Sequence, residues 1–94
     1  MFRLWGKIYK NNKIIKDTVF QVDNPSLSRT QKVNQGLEEI CYTFDIGRPL
    51  WLLNNEKEMP KYNRTNFIQD HFIETIPFDY LEIEIIEDDK EKNN

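Results

Sequence analysis

The chain is 94 residues long, which is room for one compact domain and excludes a two-domain enzyme. Its 13 basic and 16 acidic residues give a formal net charge of −3, which argues against a strongly basic nucleic-acid binder. Hydrophobic residues make up 38% of the chain and aromatic residues 13%, enough large side chains to fill a core and to exclude a wholly disordered chain.

The first predicted element is a β-hairpin over residues 2–22. Apolar and polar residues alternate, and Asn11 and Asn12 suit the positive φ angles of a two-residue turn. Pairing across this turn gives the facing pairs Ile8–Ile15 and Leu4–Val19. The core face then carries Phe2, Leu4, Ile8, Ile15 and Val19. The outer face carries Arg3, Trp5, Lys7, Tyr9, Ile14, Lys16, Thr18 and Phe20.

A long helix is predicted next. Ser28 followed by Gln31 has the spacing of a capping box, which marks a helix start. Gly36 lies on the apolar side and lets the helix backbone approach the sheet closely, while Gly47 suits the left-handed position after the helix end. The apolar stripe consists of Val33, Leu37, Ile40, Cys41 and Phe44.

The second half of the chain is less regular. Residues 50–53 are a short apolar run that predicts a third strand buried on both faces. Pro60 limits any preceding helix to one turn. Residues 65–75 fit either a short helix or an edge strand. Residues 80–86 alternate and predict a last strand, with Leu81, Ile83 and Ile85 inward and Tyr80, Glu82 and Glu84 outward.

Taken together, these elements predict an α+β fold, in which a small antiparallel sheet has one long helix packed across it. Residues 1–86 are predicted to form a single domain, and the acidic residues 87–94 a disordered tail. The runs LEEICYTFD (37–45), PLWL (49–52) and FDYLEI (78–83) resemble a family of short bacterial proteins without an assigned function. The resemblance implies a stand-alone bacterial domain and transfers no catalytic or binding residue.

The sequence offers little for catalysis. Cys41 and His71 could form a nucleophilic pair, but Cys41 lies in the apolar stripe, where a thiol behaves as a small hydrophobic group. Calcium-loop, phosphate-loop and hydrolase motifs are absent, so we predict no enzyme activity, no catalytic residue, no metal and no cofactor. Without a secretion signal or an apolar run of ~18 residues, the chain is predicted to be cytoplasmic and not membrane-bound.

The charges are unevenly distributed along the chain. Residues 1–36 contain seven basic and two acidic residues, a net of +5, whereas residues 37–94 contain six basic and fourteen acidic residues, a net of −8. The acidic block either solvates an edge strand or binds a partner by electrostatic complementarity.

Two functional hypotheses follow from this distribution. The first is a non-enzymatic interaction protein, a regulator or inhibitor, whose acidic strand contacts a partner with a basic surface, such as a nucleic-acid-handling protein. Its predicted contact residues are Tyr80, Glu82, Glu84 and Glu87. The alternative is weak single-stranded nucleic acid binding, in which bases stack on rings of the hairpin and phosphates meet its cations. That platform comprises Arg3, Trp5, Lys7, Tyr9, Lys16 and Phe20. The partner's identity and the oligomeric state are not predicted.

Overall fold

The computed structural model describes residues 1–89, which form a four-stranded antiparallel sheet and two α-helices. The α+β class is therefore confirmed, whereas the single long helix was wrong. The elements are β1 (Phe2–Lys10), β2 (Lys13–Val22), α1 (Arg29–Phe44), α2 (Leu53–Tyr62), β3 (Arg64–Phe67), a 3₁₀ turn (Gln69–His71) and β4 (Tyr80–Glu87). Glu87, the first residue of the predicted tail, ends β4, while residues 90–94 of that tail lie outside the described residues.

The strand order in the sheet is β2-β1-β4-β3. β4 lies between β1 and β3, so the expectation that the acidic block solvates an edge strand was wrong. The edges of the described sheet are β2 and the four-residue β3. This order places the acidic strand directly beside the basic first strand.

The β1–β2 hairpin turns at Asn11 and Asn12, whose φ angles of 54° and 64° confirm the predicted two-residue turn. A β-bulge follows, because Tyr9 pairs with Ile14 but Ile8 pairs with Lys16, which leaves Ile15 without a partner on β1. The predicted register beyond the turn was therefore wrong by one residue. The observed pairs include Leu4–Phe20, Trp5–Val19 and Lys7–Asp17.

The register shift exchanges the two faces of β2. Phe20 now shares the core side with Leu4 and is partly buried. Ile15 and Val19, which were predicted to lie in the core, are 50% and 45% exposed. One inserted residue therefore turns most side chains of β2 to the face opposite the predicted one.

The start of α1 follows the prediction, and its end does not. Ser28 caps the helix: its Oγ accepts a hydrogen bond from the Gln31 N–H at 3.1 Å, and the Gln31 side chain accepts one from the Ser28 N–H at 2.8 Å. The left-handed position at the C-terminus is occupied by Asp45, with φ 58°, and not by Gly47. A short polar side chain tolerates this conformation well enough that no glycine is needed.

Two glycines allow the close approach of α1 to the sheet. A Cβ atom on Gly36 would lie 2.7 Å from Leu4 Cδ2 and 2.8 Å from Phe20 Cδ2, and one on Gly6 would lie 2.5 Å from Ile40 Cγ2. These contacts are tighter than side-chain packing permits. The core residues around them include Phe2, Leu4, Ile8, Leu37, Ile40, Phe67, Leu81 and Ile83.

The predicted third strand at residues 50–53 was wrong, because α2 begins at Leu53 and continues through Pro60. The side chain of Asn55 caps the start of α2 and joins the helix to β3. Its Oδ1 accepts a hydrogen bond from the Leu52 N–H at 2.9 Å, and its Nδ2 donates to Thr65 Oγ1 at 2.7 Å. Asn55 is completely buried, so these bonds hold α2 against β3 without leaving its amide unsatisfied.

Candidate functional site

The two faces of the sheet differ in what covers them. α1 contacts the face that carries Leu4 and Phe20, and α2 contacts the same face through Asn55 and Thr65. No element of the described residues lies on the opposite side, which we call the open face. Strand alternation and register assign to it Arg3, Trp5, Lys7, Tyr9, Ile14, Asp17, Val19, Gln21, Arg64, Asn66, Tyr80, Glu82 and Glu84.

Rings occupy two positions along the open face. Tyr9 stacks on Tyr80 with ring centroids 4.7 Å apart, and Ile14 pairs with Tyr9 on the other side. Further along β1, Trp5 lies beside Val19, and its Nε1 donates a hydrogen bond to Asp17 Oδ2 at 2.9 Å. The open face therefore has two apolar patches, one at each end of a polar centre.

Lys7 forms that polar centre. Its Nζ lies 2.9 Å from Glu82 Oε1, 2.8 Å from Glu84 Oε1 and 3.9 Å from the centre of the Trp5 ring. The side chain is only 5% exposed although it belongs to an uncovered face. Burial acts to lower the pKa of Lys7, but the hydrogen bonds to Glu84 and Glu82 outweigh it and raise that pKa. Lys7 is thus a charged group enclosed by its neighbours.

Ion pairs between the basic N-terminal part of the chain and the acidic C-terminal part are not limited to Lys7. Among residues 1–89, every ion pair joins a cationic group of the first 32 residues to a carboxylate of residues 82–89. The pairs are Met1 α-ammonium–Glu87, Met1 α-ammonium–Asp89, Arg3–Glu87, Lys7–Glu82, Lys7–Glu84, Arg29–Asp88 and Lys32–Asp89. The basic first third and the acidic last strand therefore neutralise each other within one molecule.

The acidic contact set is found together on one part of the sheet. Tyr80, Glu82 and Glu84 lie on the open face, and Glu87 ends the same strand, with its Oε1 2.9 Å from Arg3 Nε. Sequence reasoning treated the acidic strand and the basic hairpin as separate surfaces. The structure brings most of both sets onto one surface, where they are paired.

The nucleic-acid platform is divided between the two faces. Arg3, Trp5, Lys7 and Tyr9 lie on the open face, whereas Lys16 and Phe20 share the opposite side with Ile8 and Leu4. Asp17 and Val19, which the sequence reasoning did not place on this face, take their positions beside Lys7 and Trp5. Their positions depend on the bulge at Ile15, and no distinctive sequence pattern marks that bulge.

Cys41 and His71 are both buried. Burial raises the pKa of the Cys41 thiol to about 11, so the thiol stays protonated at neutral pH. His71 Nδ1 accepts a hydrogen bond from the Ile68 N–H at 3.1 Å, which assigns the proton to Nε2, 3.1 Å from Asn54 Oδ1. Each imidazole nitrogen therefore has a structural partner.

The described part of the chain contains neither a candidate metal-binding cluster nor a candidate membrane-spanning helix. Residues 1–89 contain no group of three or more His, Cys, Asp or Glu side chains arranged to hold a metal ion. Neither α1 nor α2 is long and apolar enough to cross a membrane.

Comparison with known proteins does not assign the chain to a family. No family model matches the chain, and neither a curated protein nor a solved structure matches it significantly. The resemblance to a family of short bacterial proteins stays a prediction.

Proposed function

We propose that the protein is a small, non-enzymatic interaction module that binds a partner protein through the open face of its sheet. The observation that carries this proposal is the position of three rings, Trp5, Tyr9 and Tyr80, on a face that no described element covers. Tyrosine and tryptophan are enriched in protein interfaces, where their large rigid rings contribute contact area at low entropic cost.

The charges of this face favour a partner with basic groups beside apolar ones. Asp17, Glu82 and Glu84 border the rings, and Glu82 and Glu84 share the single ammonium of Lys7. Because Lys7 is enclosed between Glu82 and Glu84, a partner meets carboxylates more than the ammonium at the centre of the face, while Arg3 and Arg64 lie towards its margins. We place the contact on Tyr80, Glu82, Glu84 and Glu87, with the rings of β1 beside them.

A basic surface with apolar side chains is typical of proteins that bind nucleic acid. A module that occupies such a surface would act as an inhibitor or regulator of its partner. We place this activity in the bacterial cytoplasm, as the sequence predicts.

The test is capture of a partner from cell lysate on immobilised protein. Tyr9→Ser combined with Tyr80→Ser removes the stacked pair and leaves Lys7 and its carboxylates intact. The matched control is Tyr42→Ser, because Tyr42 is an exposed tyrosine of α1, away from the open face. We expect the double variant to lose the captured protein and the control to retain it. Equal capture by both variants would refute the open face as the site.

Weak single-stranded nucleic acid binding is the alternative, and the exposed rings favour it because bases stack on aromatic side chains. Fluorescence anisotropy with a labelled oligonucleotide separates the two functions. Binding that weakens with salt and with Trp5→Ala supports the alternative. The enclosure of Lys7 and the position of Lys16 on the other face both count against it.

A further inference from the structure

A cleft of about 510 Å³ lies between α1 and α2, on the side of the sheet away from the open face. Its apolar wall includes Val33 and Met59, which are buried, and Trp51, which is partly exposed and packs near Phe67 with ring centroids 5.6 Å apart. The volume falls in the range of small-molecule sites, roughly 300–1,000 Å³. The exposed part of the Trp51 ring gives an apolar ligand a surface to contact.

The two ends of this cleft carry opposite charges. Arg29 begins α1, and its Nη2 donates a hydrogen bond to Asn63 Oδ1 at the C-terminal end of α2. Glu56 lines the cleft near the other end of α2, seven residues before Asn63 and therefore about 10 Å away along the helix axis. The guanidinium marks one end of the cleft, and the carboxylate marks the other.

We infer that the cleft binds a small apolar carboxylate, with its apolar body on Trp51 and Val33 and its carboxylate at Arg29. A guanidinium is the side chain best suited to hold a carboxylate, and the hydroxyl of Thr30, which lines the same end, is a second donor. The Asp88 carboxylate lies 3.5 Å from Arg29 Nε, a loose contact that the ligand would compete with. This inference does not depend on the proposed function, since it uses the other side of the molecule.

The experiment is a titration of ¹⁵N-labelled protein with 3-phenylpropionate, followed by amide and indole chemical shifts. The matched control ligand is 3-phenylpropanamide, which has the same ring and chain without the charge. We expect shifts centred on Thr30, Val33 and the Trp51 indole, with a Kd on the order of 1 mM for a ligand of this size. The amide should bind about tenfold more weakly, because it cannot make the charge-assisted bonds to Arg29.

Variants at the two charged ends should act in opposite directions. Arg29→Gln should weaken binding of the acid to the level of the amide, whereas Arg29→Lys should retain part of the difference. Glu56→Gln should tighten binding about twofold, because it removes a like charge about 10 Å from the carboxylate. Thr30→Trp, at an exposed position on the wall, should block the cleft without altering the core.

Equal affinity for the acid and the amide would overturn the inference, as would shifts elsewhere or none well above the expected Kd. A Glu56→Gln variant that binds the acid more weakly would also contradict it. Tyr9→Ser with Tyr80→Ser should leave the titration unchanged. Loss of partner capture by that variant therefore tests the open face alone, and the two proposals can fail separately.

Discussion

Removal of both carboxylates that hold Lys7 tests whether the charged centre of the open face stabilises the fold. Glu82→Gln combined with Glu84→Gln leaves an enclosed ammonium facing two amides and the Trp5 ring. Removal of one partner from a buried ion pair costs about 3–5 kcal/mol, because the remaining charge is uncompensated. Glu84 is 29% exposed, so water reaches part of this cluster, and we expect the lower value of about 3 kcal/mol.

The triple variant Lys7→Met, Glu82→Gln, Glu84→Gln should recover most of that loss. It removes the uncompensated charge together with its partners, and an apolar side chain of similar length fills the space under Trp5. Such replacements are often neutral or stabilising, so we expect the triple variant to lie within about 1 kcal/mol of the wild type. The strong non-additivity is the signature of a cluster that acts as a unit.

The assay is urea unfolding at neutral pH and low salt, with stability taken from the midpoint at unchanged slope. The pKa of Lys7 is raised in the folded state, so its contribution is fully present at neutral pH and is lost only as the pH rises through that value. In a parallel thermal unfolding experiment, we expect the double variant to melt about 15 °C below the wild type. Lys10→Met, at an exposed position of β1, is the control and should change stability by about 0.5 kcal/mol or less. A double variant as stable as this control, or a triple variant as unstable as the double, would refute the reasoning.

Three further predictions concern other parts of the fold. Gly36→Ala should destabilise the protein by about 1–3 kcal/mol in thermal unfolding despite the higher helix propensity of alanine, because the added Cβ meets Leu4 and Phe20; a gain in stability would contradict this close approach. Hydrogen bonds from Lys32 and from the Met1 α-ammonium lower the pKa of Asp89, so its contribution is present above the ordinary carboxyl range and lost as the pH falls through the lowered value. Asp89→Asn should therefore flatten the acid limb of the melting temperature below about pH 4, and an unchanged limb would exclude this role. Cys41 should resist iodoacetamide in native protein at neutral pH and react once urea unfolds it, because burial raises its pKa to about 11; rapid native alkylation, followed by mass spectrometry, would disprove its enclosure.

Local features of the fold could be predicted from the sequence because their causes are local. Asn11 and Asn12 adopt positive φ angles wherever a two-residue hairpin needs them, and Ser28 with Gln31 closes a capping box within four residues. The register of β2 depends instead on a bulge among Ile14, Ile15 and Lys16. Ile14 and Ile15 are both apolar, as are Val19 and Phe20, so the alternation of apolar residues fits both registers. Packing against α1 selects the register that buries Phe20.

The misassigned α2 has a similar explanation. Four apolar residues, 50–53, fit a strand as well as the start of a helix, and nothing in the run itself distinguishes the two. The buried amide of Asn55 bonds to Leu52 on its own helix and to Thr65 on β3. The bond from Asn55 to Thr65 joins residues ten positions apart, so local periodicity could not indicate it.

The strand order explains why the basic first third of the chain and the acidic last strand form ion pairs with each other. From the sequence, a basic first third and an acidic last strand could each face a separate partner or could face each other. Insertion of β4 between β1 and β3 places Glu82 and Glu84 against Lys7, and Glu87 against Arg3. The two functional hypotheses therefore concern one surface, and a charge reversal at Glu82 or Glu84 would disturb the fold as well as any partner. Tyr9 and Tyr80 lie on the same face outside that ion-pair cluster, so they are the positions at which binding can be removed while the fold is kept.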